Sequence, residues 1–374
     1  MDYKLKIGFS ILALGLGQAA FGHDVAYQHV HGDTNPATPL KFVTETKGPI
    51  KAPAEAKEAL TTSGQGFWKF VAEKDLVPTP EETKNFLKGA HGTIIVDTDR
   101  DIVYWGLERV GWVAFSNRMS KSWVVKGDAM VSSGNLHGAD ILPRKGKLPL
   151  VVAADNVEHE VYLSDTSFTQ VQKLEWPQGG PYTNKNQFNP TDAAFIDKDD
   201  IWITDGYGKH FFMSAKADPF KYTGTFYGGN KGFSETPHGI TYNPETKNLL
   251  VSARPEAVIK EYSPRKNKWL ESMGLPSGAH VCDVDVWGDY ALAPCLDGPK
   301  NTPGPIYVVN LKKREIVSTI KPKEELGYGD AQHMHDACWY VRGKGKDREV
   351  FILFTNWNPG GIGALKLVNV PDKK

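Results

Sequence analysis

From about residue 85 onward, short runs of alternating hydrophobic and polar residues recur at a regular spacing. Each unit opens on a polar residue followed by Gly or Asp, continues with alternating apolar residues, turns, and runs into a second apolar strand, as in PHGITYNPETKNLLVSAR from Pro237. The opening positions, separated by 46, 54, 47, 44 and 53 residues, are His91, His137, Thr191, His238, Cys282 and His335. This alternation predicts half-buried strands, and a strand-built repeat of this length is typical of a propeller blade.

The six units predict an all-β fold, a six-bladed β-propeller over residues 67–374. The sixth unit supplies only three strands, the last at 363–370, so its fourth strand must come from upstream. The segment GFWKFVAEK at 66–74 is the predicted closing strand, because a closed ring has no exposed sheet edge. An open sandwich or two β-domains would not explain six similar periods. Further strands are predicted at 160–165, 171–177, 258–264 and 268–274.

The N-terminus predicts an exported protein. A short basic head precedes an apolar stretch at 7–17, and small residues allow cleavage after Gly22, which is typical of a signal peptide over 1–22. A membrane anchor would need about twenty apolar residues. We therefore expect a periplasmic or secreted protein without a membrane span after cleavage. Residues 23–66 predict an extended arm or linker, and an N-terminal His23 is either a copper chelator or part of a mobile leader.

Charge and cysteine content exclude several classes of partner. The 44 Lys and Arg residues balance 44 Asp and Glu residues, so no basic field would attract nucleic acid. Three cysteines are too few for a disulfide scaffold. The expected partner is a small-molecule or peptide-derived substrate, and the expected oligomeric state is a monomer.

The repeat register predicts a metal site. The first strand of each propeller blade lines the central channel, so equivalent positions form a ring around one axis. His137, His238 and His335 lie on alternate blades, which are about 120° apart in a six-fold ring. Three imidazole nitrogens with one open direction are typical of a catalytic zinc, although imidazole also suits other divalent transition metals. The alternative is a set of histidines that only form structural hydrogen bonds.

The other ring positions and their neighbours line the channel without an assigned role. His91 is a fourth ligand, a neighbour that orients a ligand, or a substrate contact. Thr191 occupies the ring position of the third unit. His280 and His333 lie two residues before the ring position and share its strand face. Asp336 points away from His335, towards a second cation lower in the channel or a contact between blades.

The cysteines of VCDVDVWGDYALAPC lie on a predicted hairpin that turns at 288–289. Cys282 and Cys295 are equidistant from that turn, which predicts a cross-strand pair. They form a disulfide, or Cys282 remains a free metal ligand in the ring. Cys338 is expected to be a lone, buried thiol.

Several motifs resemble the peptidyl-α-hydroxyglycine α-amidating lyase family of NHL-repeat propellers. The specific motifs are NPTDAAFIDKDDIWITDGYG, TPHGITYNPETKNLLVSAR, HMHDACWY and LHGADI, and the resemblance as a whole is spread over roughly residues 85–370. The resemblance implies a catalytic zinc on His137, His238 and His335. It also implies a structural calcium on Asp336 and the carbonyl of Ala139.

The same resemblance implies three catalytic residues. Tyr207 would act near the metal, and Arg254 would hold the substrate carboxylate. Arg109 is the nearest candidate for the family's first-blade arginine. The implied reaction is cleavage of the C–N bond of an α-hydroxylated amide into an amide and glyoxylate.

Two other functions stay open. One is a different metal-dependent propeller enzyme, such as a lactonase-like hydrolase, although calcium-dependent propeller hydrolases use Asp/Asn/Glu-rich centres. The other is a non-catalytic propeller that binds a protein, a glycan or a metal.

Overall fold

Each of the six sequence repeats folds into one antiparallel sheet, and the six sheets stand as blades around a common axis. The computed structural model describes residues 28–30, 36–53, 60–229 and 236–369. The first strands of successive blades contact one another in ring order, from blade 1 to blade 6 and back to blade 1. The predicted six-bladed β-propeller is confirmed. The predicted signal peptide and His23 lie outside the described residues.

Each blade has four strands, of which the first lies nearest the axis and the fourth at the outer edge. Blade 1 has strands Ile94–Asp97, Ile102–Leu107, Gly111–Ser116 and Lys121–Val124. Blade 2 has strands Leu136–Leu142, Leu150–Asp155, Glu160–Asp165 and Gln172–Leu174. Blade 3 has strands Asp192–Phe195, Asp200–Thr204, Phe211–Ala217 and Phe220–Gly228.

The remaining blades follow the same plan. Blade 4 has strands Pro237–Asn243, Asn248–Ala253, Val258–Ser263 and an outer strand in two parts, Lys268–Trp269 and Met273–Gly274. Blade 5 has strands Asp285–Trp287, Tyr290–Pro294, Ile306–Asn310 and Glu315–Ile320. Blade 6 has strands Met334–Arg342, Glu349–Asn356, Gly361–Val368 and Trp68–Ala72. A two-stranded ribbon, Asp297–Gly298 with Thr302–Pro303, is inserted between the second and third strands of blade 5.

The ring closes with the strand that the sequence predicted. Trp68–Ala72 pairs antiparallel with Gly361–Val368, and Leu365 lies opposite Ala72. Blade 6 therefore joins the two ends of the propeller, and its outer strand leaves no open gap in the ring. The outer strand of blade 4 differs from the prediction, because the pairing of its two parts shifts by one residue and breaks the expected continuous strand at 268–274.

The segment before the propeller lies along the outer edges of four consecutive blades. Three short pieces, Gln28–Val30, Thr38–Pro39 and Lys41–Phe42, pair in parallel with the outer strands of blades 3, 4 and 5. Ser63–Gln65 adds an antiparallel strand to blade 6. Since an exposed edge strand is a template for aggregation, this segment protects the outer edges of those blades.

Buried hydrophobic residues are concentrated between blades rather than in one central core. Among the described residues they form six clusters, one at each junction of neighbouring blades. Cys338 is buried in the cluster between blades 6 and 1. Polar side chains, among them His137, His238 and Asp336, lie together with apolar ones along the central channel.

Helical structure is minor. The described residues include one short α-helix, Pro322–Leu326, and 3-10 turns at Glu81–Phe86, Ala129–Ser132, Lys185–Gln187, Arg254–Glu256, Pro299–Asn301 and Gly345–Asp347. Within the described part of the chain, no helix has the length and apolar character that a membrane crossing requires.

Candidate metal centre

His137 and His238 are buried at the second residue of the first strands of blades 2 and 4. Nδ1 of His137 donates a hydrogen bond to the carbonyl oxygen of Thr191 at 2.7 Å, and Nδ1 of His238 donates to that of Cys282 at 2.8 Å. A carbonyl only accepts hydrogen bonds, so each neutral ring carries its proton on Nδ1 and keeps a lone pair on Nε2. Thr191 and Cys282 hold the equivalent positions of blades 3 and 5. One blade therefore orients the histidine of the blade before it.

His335 lies beside both of these rings, in the first strand of blade 6. Its ring centroid is 4.5 Å from that of His137 and 4.8 Å from that of His238. The side chain is buried, and within the described residues neither of its ring nitrogens has a hydrogen-bond partner. Leaving a buried polar group unpaired costs about 1–3 kcal/mol. A ligand held between the rings would remove this cost.

His91 is the fourth imidazole of the cluster. Its ring centroid is 4.5 Å from that of His335 and 5.3 Å from that of His137, and its Nδ1 contacts the carbonyl oxygen of Gly89 at 2.5 Å. One ligand atom each from His91, His137 and His335 lie within 4.8 Å of one another. This set of three contains His91, whereas the sequence predicted His238 as the third ligand. By ring centroids His238 is equally close, at 4.9 Å from His137 and 4.8 Å from His335. We call His91, His137, His238 and His335 together the histidine cluster.

Burial keeps the histidine cluster neutral. It lowers the pKa of His91, and it lowers the pKa values of His137, His238 and His335 well below the usual value of an imidazole. The positive charge of Arg254 acts in the same direction on all four rings. Because a metal binds the neutral imidazole, the cluster is ready to hold a cation without first releasing protons.

Tyr207 and Arg254 adjoin the histidine cluster. The Tyr207 hydroxyl lies 2.9 Å from Nε2 of His238 and 3.3 Å from Nε2 of His137, and it accepts a hydrogen bond from the Arg254 guanidinium at 3.1 Å. Although 37% of the tyrosine is exposed, its hydroxyl points among the rings. Burial raises the pKa of the Tyr207 phenol, and the adjacent Arg254 opposes that rise. Two of the three catalytic residues that the family resemblance implies, Tyr207 and Arg254, therefore adjoin the cluster.

The turn that carries Tyr207 is held by Asp205. Its carboxylate accepts hydrogen bonds from the backbone N–H groups of Asn189 and Lys209, each at 2.6 Å, and from the Tyr182 hydroxyl at 2.6 Å. Burial raises the pKa of this carboxyl to about 7. The aspartate before Gly206 and Tyr207 thus has a structural role, which is to fix the direction of the tyrosine.

Arg109 is placed differently from Arg254. Its side chain is 59% exposed, contacts Glu108 at 3.4 Å, and lies over the ring of Phe86. No hydrogen bond or ion pair joins it to the histidine cluster in the part of the chain that the structure describes. Arg254, in contrast, donates to the Tyr207 hydroxyl and has no carboxylate partner among the described residues.

The two other channel histidines form a separate array on the same side. Nδ1 of His280 lies 3.1 Å from one carboxylate oxygen of Asp297, and Nδ1 of His333 lies 3.1 Å from the other. Trp357 packs beside His333, with 5.7 Å between ring centroids, and 45% of the tryptophan is exposed. Sequence reasoning missed Asp297 and Trp357. Asp297 lies in the inserted ribbon of blade 5, and Trp357 follows the second strand of blade 6, so neither occupies a repeated ring position.

The side chain of Thr191 does not belong to the centre. Its hydroxyl bonds with the hydroxyl of Thr204 and the carbonyl oxygen of Pro237, each at 3.1 Å. The contribution of Thr191 to the cluster is its backbone carbonyl, which no side-chain pattern could have revealed.

Carboxylates line the channel one residue further along the first strands. Asp336 accepts a hydrogen bond from the backbone N–H of Ile94 at 2.7 Å, so it ties blade 6 to blade 1, as one of the two sequence interpretations expected. Asp283 and Asp336 share a hydrogen bond, and burial raises the pKa of both. A cavity of about 270 Å³ brings these groups together with Asp192 and Ala139.

Glycines on the preceding blades make room for two of these carboxylates. A Cβ atom at Gly138 would lie 2.4 Å from Oδ1 of Asp192, and one at Gly239 would lie 2.6 Å from Oδ1 of Asp283. A Gly after the ring position of one blade and an Asp at the equivalent place of the next blade are therefore sterically coupled in these two pairs.

The expected cross-strand disulfide is not formed. Cys282, Cys295 and Cys338 are all free and buried. The hairpin turns at 288–289 as predicted, but its pairing slips by one residue near the ends, so Cys295 lies opposite Val281. Since neighbouring residues of a strand point to opposite faces, this slip turns Cys282 away from Cys295. The Cys282 thiol donates a weak hydrogen bond to the carbonyl oxygen of His280 at 3.7 Å.

Comparisons with known proteins do not assign the chain to a family. No protein-family model and no curated protein matches it. Among solved structures it is similar to hydrazine synthase of Kuenenia stuttgartiensis, with 11% identity and a TM-score of 0.39. The match covers 55% of this chain and 53% of that chain, about half the length of each. A similarity this distant carries no argument about activity, and the resemblance to the amidating lyases stays a prediction.

Proposed function

We propose that this propeller is a metal-dependent lyase that cleaves the C–N bond of a small α-hydroxylated amide. The observation that carries the proposal is His335, a buried imidazole with two unpaired nitrogens at the centre of three other neutral imidazoles. No hydrogen bond within the described residues satisfies the nitrogens of this ring. A cation shared with the neighbouring imidazoles would do so.

The donor set supports a divalent transition metal. His137, His238 and His335 are the proposed ligands, with His91 as an additional ligand or a neighbouring donor. Two of the rings have Nδ1 bound to a backbone carbonyl, the arrangement that fixes the tautomer of metal-binding histidines. Neutral imidazoles suit zinc, and they also suit iron, copper or nickel. A divalent ion held there would act as a Lewis acid that lowers the pKa of a hydroxyl group.

Tyr207 and Arg254 supply the remaining groups for the reaction. Arg254 would bind the substrate carboxylate, because its guanidinium is next to the cluster and has no carboxylate partner among the described residues. Tyr207 would take the proton from the substrate hydroxyl, and the positive charge of Arg254 offsets part of the rise in phenol pKa that burial causes. The C–N bond then breaks with its electron pair going to nitrogen, which gains a proton. The products are an amide and glyoxylate.

We also assign a structural cation to Asp336 and the carbonyl of Ala139. Support comes from the cavity that they share with Asp192 and Asp283. Calcium prefers such oxygen ligands and needs six to eight of them. A cation there would replace the proton that the hydrogen-bonded pair of Asp283 and Asp336 otherwise keeps.

Export is part of the proposal. The predicted signal peptide at 1–22 would direct the chain to the periplasm or the outside of the cell, and the arm and propeller would fold there as a monomer. The reaction would then act on substrates outside the cytoplasm.

Glyoxylate release tests the proposed reaction directly. Untagged protein loaded with zinc is incubated with α-hydroxyhippurate, and glyoxylate is measured. We expect metal-dependent release that is lost in Tyr207→Phe and weakened in Arg254→Ala. Absence of glyoxylate from protein that carries its full metal content would overturn the lyase assignment.

A further inference from the structure

We propose that Trp357 and His333 form a subsite that binds the planar, apolar acyl group of the substrate. The inference rests on the proposed function and adds a substrate class to it, namely N-aroyl or similarly flat N-acyl derivatives of an α-hydroxylated glycine. The site lies on the rim of the histidine cluster, on the blades opposite Tyr207 and Arg254.

Trp357 is an exposed aromatic residue held in a fixed place. It follows directly after the strand Glu349–Asn356 in blade 6, and its backbone N–H donates to the carbonyl oxygen of His333 at 2.9 Å. Its ring centroid lies 5.7 Å from that of His333 and 6.5 Å from that of His91. With 45% of its surface exposed, the indole presents apolar area next to the cluster, where a flat group stacks favourably.

The order of the blades sets the direction of a bound substrate. Tyr207 belongs to blade 3 and Arg254 to blade 4, whereas Trp357 follows the second strand of blade 6, with its ring 6.5 Å from that of His91 in blade 1. In a ring of six, blades 6 and 1 stand opposite blades 3 and 4. A substrate with its carboxylate at Arg254 and its hydroxyl at the cluster therefore extends its N-acyl group towards Trp357.

His333 supplies a polar contact beside the indole. Its Nδ1 faces two acceptors, the carbonyl oxygen of Leu296 at 3.2 Å and Oδ1 of Asp297 at 3.1 Å. In its neutral form the ring carries its proton on Nδ1, which leaves Nε2 as an acceptor that suits the N–H of a substrate amide. Nδ1 of His280 lies 3.1 Å from the other carboxylate oxygen of Asp297. This second contact holds the carboxylate in place, and the carboxylate in turn orients the ring of His333.

Binding of unreactive substrate analogues tests the subsite without requiring turnover. Hippurate and N-acetylglycine share the amide and the carboxylate but differ in the acyl group. Calorimetric titration of zinc-loaded protein with each should show about tenfold tighter binding of hippurate. Trp357→Ala should remove this preference and leave the affinity for N-acetylglycine unchanged, and Trp357→Phe should keep most of it.

Trp123 provides the matched control. It is also an exposed tryptophan, 40% accessible, but it lies on the outer strand of blade 1. Trp123→Ala should bind both analogues as the wild type does. The subsite would be overturned by any of three results. The preference for hippurate could be lost equally in both alanine variants, or it could survive in Trp357→Ala. The wild type could also bind neither analogue.

The experiments distinguish a failure of the proposed reaction from a failure of the proposed subsite. If the preference for hippurate depends on Trp357 while α-hydroxyhippurate yields no glyoxylate, the reaction is wrong and the subsite stands. If glyoxylate is released while Trp357→Ala keeps the preference, the subsite is wrong and the reaction stands.

Discussion

The hydroxyl of Tyr207 lies 2.9 Å from Nε2 of His238, at the end of a turn that Asp205 holds in place. The same hydroxyl accepts a hydrogen bond from Arg254. Tyr207 therefore links the Arg254 guanidinium to Nε2 of His238 in the histidine cluster. This position suits a group that moves a proton to or from a ligand of the cluster.

Tyr207→Phe removes that hydroxyl and leaves the ring in place. We expect kcat for glyoxylate release to fall by about 10²–10⁴-fold, the usual contribution of one acid–base group. Metal content and KM should change little, because the phenyl ring still fills the turn. Steady-state kinetics with parallel elemental analysis measures this, and a kcat near that of the wild type would exclude Tyr207 as the base.

Arg254→Ala removes the cationic side chain with no carboxylate partner among the described residues. We expect KM for a carboxylate substrate to rise by about 10–100-fold, as for the loss of a charge-assisted hydrogen bond. Arg254→Lys should recover only part of the loss, since lysine lacks the planar fork. Arg109→Ala is the matched control, because Arg109 is exposed and contacts Glu108, and its kinetics should resemble those of the wild type.

Asp285 gives the propeller a pH-dependent stability. Its carboxylate accepts the backbone N–H of Trp339 at 2.6 Å across blades 5 and 6, and burial raises its pKa from 3.8 to about 7. Between pH 3.8 and about pH 7, the folded protein therefore keeps a proton on Asp285 that the unfolded chain has released. The stabilisation from Asp285 is fully present below pH 3.8 and is lost as the pH rises towards about 7.

Urea unfolding in the presence of EDTA measures this effect. The free energy of unfolding is measured for the wild type and for Asp285→Asn at each pH, and the difference between them should change by about 4 kcal/mol across the window. Asp199→Asn, at an exposed turn, should leave the pH dependence unchanged. A wild type and an Asp285→Asn variant with parallel pH profiles would contradict the assignment.

The three buried thiols should resist modification in the folded protein. We expect Cys282, Cys295 and Cys338 to react with a thiol reagent only after unfolding, and all three to react without prior reduction. Burial raises the pKa of each thiol, which slows reaction further. Mass spectrometry of unreduced protein counts the thiols, and a loss of two hydrogens would show that the disulfide forms after all.

The sequence predicted the parts of the centre that repeat. His91, His137, His238 and His335 occupy one register position on four blades, so a period found in the chain was enough to place them together. The closing strand at 66–74 was predictable for a similar reason. The last repeat lacked a fourth strand, and this upstream segment has the alternating pattern of a strand.

Features that depend on a local departure from the repeat were not predictable. A one-residue slip in one hairpin separates Cys282 from Cys295, and no property of the sequence marks that slip. Asp297 lies in an inserted ribbon without a counterpart in the other blades. The edge strands of the arm are two or three residues long, too short to show alternation.

Metal content tests the central claim most directly. Untagged full-length protein, purified without chelators, should contain about one equivalent of a divalent transition metal per chain by elemental analysis. His335→Ala should bind that metal at least about tenfold more weakly while keeping the β-sheet signal of the wild type. His159→Asn is the control, because His159 contacts the carbonyl of Phe188 away from the cluster and has a positive φ that asparagine tolerates. Wild-type protein that holds less than about half an equivalent, even after incubation with zinc, would contradict the account.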